Sequence, residues 1–198
     1  MPMQPQEVLD FWFGPPDDPG HALPRACWFR KDDVFDQHIA RRFGSLIDTA
    51  LAGQLHEPGP NDWTRQPLGA LALIIVTDQF TRNSLRGTAR AFAGDAIALA
   101  LATELVASGA DLSLTGVQRQ FVYLPFEHAE SLPMQQLALR LFARLEQDEP
   151  ALAGLLDWAQ RHHDIVARFG RFPHRNAALG RTSTPEELAF LQQPGSGF

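Results

Sequence analysis

Between Ala70 and Val76 the chain reads ALALIIV, apolar at every position, with no polar residue on either a two-residue or a 3.6-residue period. A stretch of that kind has to be covered on all sides, so it belongs at the centre of whatever the chain folds into. Periodicity alone fits either a buried strand or a buried helix. The flanks decide between them: Pro67 suits a first helical turn, and Asn83 followed by Gly87 suits a helix stop. No second β-rich run exists to pair with it. The reading is a central helix over 66–82, the most buried of the chain, in an all-α fold.

The same grammar recurs elsewhere. "TPEELAFLQQ" starts a helix with Thr184 as N-cap, Pro185 in the first turn and Glu187 closing a capping box. "DEPALAGLLDWAQRHHDIVARFG" has acids and Pro150 at its front and Gly170 at its stop. Thr115 with Gln118 offers another capping box, and Pro125 is expected to kink or break the helix that follows. Further helices are expected near 4–13, 32–53, 88–108 and 133–148. The long ones fall into pairs joined by short turns: 32–53 with 66–82, 88–108 with 115–131, and 133–148 with 150–169. Such neighbours pack as antiparallel hairpins. Their starts are unevenly spaced, so any repeat is degenerate. The expectation is one all-helical domain over 1–198.

Charge narrows the partners. A formal net charge of −6 argues against non-specific binding to nucleic acid or to anionic membranes. No window approaches eighteen consecutive apolar residues, and no secretory signal is read at the start, so no membrane span is expected. One cysteine, Cys27, excludes an internal disulfide framework and fits the cytoplasm.

Against that acidic background, "RFGRFPHRNAALGR" (168–181) gathers four arginines, one histidine and one asparagine, with no acid. One reading is structural: the cations meet a helix C-terminus and tie a loop to acidic helices elsewhere. The other is an anion or carboxylate site built from Arg171, His174, Arg175 and Asn176. The two are expected to mix, with Arg171 paired to an acid, and His174 and Arg175 facing a cleft. "DQFTRN" repeats the Arg/Asn chemistry at the end of the central helix, where Asp78 and Arg82 stand four apart and Asn83 follows.

Other chemistries find less support. His163-Asp164 matches the paired ligands of metal phosphohydrolases, but no aspartate follows Asp164, and the stripe Leu155, Ala159, His162, Val166 turns Asp164 toward solvent. No Glu-x-x-His occurs for a di-iron bundle, and in "FEHAES" at most two of Glu127, His128 and Glu130 can share one site. No metal or cofactor is therefore expected. Cys27, among aromatics, reads as a packed residue. There is no G-x-S-x-G and no phosphate-binding glycine loop. His162 stands within an apolar stripe, either as a satisfied core residue or as a group facing an internal polar pocket.

Taken together, "VLDFWFG", "WFRKDDVFDQHI", "DQFTRN", "AFAGD", "PFEHAES" and "RFGRFPHRNAALGRTSTPEELAFL" resemble the bacterial family called domain of unknown function 924, over about residues 7 to 192. The resemblance implies helix pairs stacked in a superhelix like that of tetratricopeptide-repeat proteins, and it brings no activity. Its signature stretches fall here on Asp78, Gln79, Arg82, Asn83, His128, Glu130, His162, Arg171, His174, Arg175, Asn176 and Arg181. Two functions follow as expectations. One is a non-catalytic module that binds a peptide or small anion through an Arg/His/Asn pocket. The other is an enzyme for an anionic small molecule, with His128 or His162 as acid/base and arginines as clamps.

Overall fold

The computed structural model describes residues 3–21, 23–59 and 61–197. Every regular element among them is helical, and no strand occurs among the described residues. The fold is all-α.

The chain divides into two compact units. The first comprises Met1–Arg86 and Arg90–Pro125, the second Gly87–Ala89 and Phe126–Phe198. In the first unit lie α1 (Pro5–Phe13), α2 (Asp33–Leu51), α3 (Pro67–Ile74), α4 (Thr81–Ser84) and α5 (Asp95–Ser108). Helix α6 (Gly116–His128) passes the boundary at Pro125, and α7 (Leu132–Asp148), α8 (Leu155–Phe169) and α9 (Pro185–Leu191) follow. Pro125 does not break α6: the backbone stays helical through it to His128.

The apolar run is a helix, buried at every position from Gly69 to Thr81. It is not uniform. Ile75–Phe80 forms a π-helical segment between α3 and α4, the wider turn that recurs at functional or specially packed positions. The shift is accompanied by close packing. A Cβ on Gly94 would lie 2.1 Å from the Thr77 carbonyl oxygen, so the glycine lets α5 approach the π segment. Gly69 meets the Trp63 carbonyl in the same way at 2.1 Å. Around this helix the first unit packs aromatic rings edge to face: Trp12 on Phe80 and Phe121, and Phe11 on Phe43 and Phe80. Such pairs add about 0.5–1.5 kcal/mol each beyond their area burial.

Some boundaries differ from those the sequence suggests. Helix α8 begins at Leu155 rather than at Pro150, because Gly154 adopts φ 105° and stops the short turn Pro150–Leu152. The Glu146 carboxylate then accepts the amides of Gly154 and Leu156 and supplies the missing cap. Ala89–Phe92 is likewise a separate turn before α5. By composition Ala89–Ser108 could cross a membrane. The continuous part is the 14-residue α5, about 21 Å long, short of a hydrocarbon core of about 30 Å.

In the second unit α7 and α8 pack side by side, presenting Ala138, Phe142 and Leu145 from one and Ala159, His162, Ile165 and Val166 from the other. Asp164 is exposed, as its place on the helix requires. Gly170, in the left-handed region at φ 70°, ends α8 with its amide on the Val166 carbonyl. Thr184 and Glu187 close the capping box of α9.

Candidate functional site

The polar end of the central helix is satisfied within the first unit. Asp78 is wholly buried, with Arg82 Nη1 2.9 Å from its carboxylate and Gln79 Nε2 donating to it at 2.6 Å. Arg82 also donates to both oxygens of Asp95, at 2.8 and 3.0 Å. Burial alone would lower the affinity of its guanidinium for the proton, but Asp78 and Asp95 outweigh that and raise it. Asn83 donates to Asp36 at 2.8 Å, and Arg86 places two more bonds on the same carboxylate. Asp78, Arg82 and Asn83 thus join the central helix to α5 and α2.

The arginine-rich stretch of the second unit is also matched to acids. Arg171 donates to both oxygens of Glu187, at 2.6 and 2.8 Å. Arg181 does the same to Glu130, at 2.6 and 2.9 Å. Asn176 donates to Glu187 and to Ser183, and its own oxygen accepts from Arg181. Arg168 pairs with exposed Glu186. Fork-on-fork pairs of this kind are directional as well as strong. The Glu187 carboxyl is accordingly held down at about 2, chiefly by Arg171 and then by the Thr184 amide. For Glu130, burial pushes the carboxyl up, but the bonds from Arg181 and the Phe172 amide, with the charges of Arg181 and Arg175, leave it below its ordinary value. "FEHAES" and "RFPHRN" meet at Glu130.

A cluster of a different character surrounds Phe172, which is fully buried. The His162 ring stands edge-on to it at 5.6 Å, the His174 ring lies 5.6 Å away, and the Arg175 guanidinium lies over its face at 4.4 Å. Arg175 is 5% exposed and packs within the unit, more deeply than the cleft-facing position the sequence suggests. The apolar ring explains the difference, because a guanidinium stacks on it without losing its edge donors. The His128 ring lies 6.1 Å from that of His162.

His162 Nδ1 has two acceptors at 2.9 Å, the Trp158 carbonyl and Oε1 of Glu127. Nδ1 is thus the ring nitrogen that faces the Glu127 carboxylate. Glu127 is 3% exposed and His162 is 5% exposed. Glu127, His128 and His162 each bring one ligand atom within 4.8 Å of the others. Adjacent residues reach one centre because both lie in the last turn of α6. Gln135 of α7 fixes that turn by donating to the Glu127 and Ala129 carbonyls, at 2.6 and 2.8 Å.

Glu127, which the sequence offered only as one of three candidate metal ligands in "FEHAES", and Phe172 are the residues that sequence reasoning left out of the binding set. A carboxylate between Phe126 and His128 gave no periodic signal, and its histidine partner is on another helix. A cleft of about 510 Å³ in the first unit, lined in part by Gln4, Gln54, Asn61, Gln66, Trp63 and Leu68, also had no signature. Among the described residues Asp62 and Arg65 are its only ionisable lining groups, and Asp62 is occupied in capping Trp63–Arg65.

These features define an all-helical protein with a histidine–carboxylate centre in its second unit and arginine–carboxylate pairs bracing the loop beside it. The chain belongs to the bacterial proteins of unknown function termed DUF924, whose match spans residues 8–195. It is similar to the solved structure of ATU0120, a protein of unknown function from Agrobacterium tumefaciens. The two are 38% identical, with a TM-score of 0.77, over 95% of this chain and 96% of the other. No curated relative matches.

Proposed function

We propose that this protein is a non-catalytic binding module of the cytoplasm for a small anion, a carboxylate or phosphate, taken at His128, His162, His174 and Arg175. The observation that carries this reading is the grouping of His162, His174 and Arg175 on the buried Phe172 ring. Hydrogen bonds from such donors to an anion, made in a partly desolvated setting, are roughly twice as strong as neutral ones. Arg171, Arg181 and Asn176 serve the reading indirectly, because Glu187 and Glu130 hold them as the frame of the loop. Asp78, Arg82 and Asn83 have a corresponding bracing role in the first unit.

The test is a titration of chelator-treated protein with inorganic phosphate and with citrate, followed by melting temperature. A saturable rise is expected, weakened several-fold in His174→Ala and His128→Ala and preserved in Arg168→Ala. A flat response of the wild type to both anions would reject the reading.

One observation favours a second reading. Glu127 on His162 Nδ1 orients the ring as an acid/base would be oriented. Turnover of a phosphate- or carboxylate-ester panel, lost in Glu127→Gln, would support an enzyme instead.

A further inference from the structure

Glu127 poses a problem that the anion reading leaves untouched. Its carboxylate is almost fully buried, and among the described residues its one side-chain partner is the His162 ring. Every other well-buried carboxylate of the second unit meets an arginine: Glu187 has Arg171, and the half-buried Glu130 has Arg181. Buried charges are paired or coordinate metals, since desolvation of an ion is otherwise too costly. Glu127 meets an imidazole in place of a guanidinium, and imidazole nitrogen is itself a metal ligand.

We infer that Glu127, His128 and His162 form a binding site for a divalent cation of the zinc class. The donor set is two imidazole nitrogens and one carboxylate oxygen. That set suits zinc and its first-row neighbours, whereas magnesium and calcium want oxygen ligands throughout. The supporting shell is already built. Nδ1 of His162 is the nitrogen that faces the carboxylate, 2.9 Å from Glu127 Oε1, and on giving up its proton it becomes the ligand atom on that side. Gln135 holds the turn that carries the other two ligands.

Distances are consistent with a small adjustment. Bonds of about 2.1 Å in a tetrahedron set ligand atoms about 3.4 Å apart, and here they lie within 4.8 Å. Side-chain movements of about an ångström within the cluster close the gap. Three protein ligands leave a fourth position open, the pattern of a site that takes a further small ligand. The inference goes beyond the anion reading and does not rest on it.

The whole chain, stripped with chelator, is titrated with Zn²⁺ by calorimetry and with Co²⁺ by visible absorption. Binding of one ion per chain is expected, with the intense absorption of tetrahedral cobalt. At a hundredfold excess over Kd, Zn²⁺ should raise the melting temperature by about 5–10 °C. His128→Ala and Glu127→Gln should each weaken Zn²⁺ at least tenfold. His163→Ala, on the neighbouring position of α8, should not. His162→Ala removes a buried ring, so the two milder variants carry the test. Absence of one-to-one binding, or binding unchanged in both variants, overturns the site. A phosphate effect without any metal binding would reject this site and leave the anion reading standing. Metal binding without an anion effect would do the reverse.

Discussion

Arg181 grips Glu130 with two hydrogen bonds, at 2.6 and 2.9 Å, across 51 positions of sequence. The same guanidinium donates to the Phe172 carbonyl, and Glu130 accepts the Phe172 amide. One ion pair thereby clamps the backbone on both sides of the ring at the centre of the histidine cluster.

Arg181→Ala should therefore cost about 2 kcal/mol, because it leaves a half-buried carboxylate and a carbonyl without their donors. In a domain of this size that is a fall of roughly 4–8 °C in melting temperature. Arg181→Lys should recover only part of it, since one ammonium cannot reproduce the fork. Equal stability of Arg181→Ala and wild type by thermal melts would contradict the clamp.

Acid should expose the Glu187 pair. Its carboxyl is held at about 2 against an ordinary 4.5, so the folded state prefers the ionised form. That contribution is complete above about pH 4.5 and is lost progressively as pH falls toward 2. Glu187→Gln should be less stable than wild type at pH 7, and its stability should fall less steeply across that window. Urea melts from pH 7 to 2.5 give both slopes, and parallel curves would refute the assignment.

Two glycines predict opposite signs. Gly94→Ala puts a Cβ 2.1 Å from the Thr77 carbonyl oxygen, so α5 or the π segment must shift, at a cost of about 1–3 kcal/mol. Gly44 lies inside α2 with nothing within 4 Å of a Cβ. Gly44→Ala should stabilise by about 0.5–1 kcal/mol through helix propensity alone. Chemical denaturation of the two variants decides both.

Tyr123 extends the argument to alkaline pH. Burial and then the Asp111 carboxylate push its hydroxyl up to about 12 from an ordinary 10. The neutral form is thus favoured by folding, and the stability it lends holds below pH 10 and is lost as pH rises toward 12. Tyr123→Phe should cost about 1–3 kcal/mol at neutral pH, since Asp111 loses a 2.6 Å bond. A spectrophotometric titration should place the native phenol well above that of the unfolded chain.

What the sequence by itself determined is what local physics decides. Thr184 with Glu187, Gly170 in the left-handed region, and the all-round apolar run at Ala70–Val76 each depend on neighbours within a turn or two. Their structural meaning is therefore present in the string, and the all-α class followed from it. The resemblance of a few longer motifs sufficed for the family. Only the tertiary structure decided which acid each arginine meets. Arg171 and Arg181 sit ten residues apart and take Glu187 and Glu130, 16 and 51 positions away, because the loop crosses between α9 and the end of α6. The structure also decided that Glu127, a residue with no periodic signal, lies against His162 of another helix. Pairing between distant side chains depends on how helices pack, and packing is a property of the whole fold, not of any one segment.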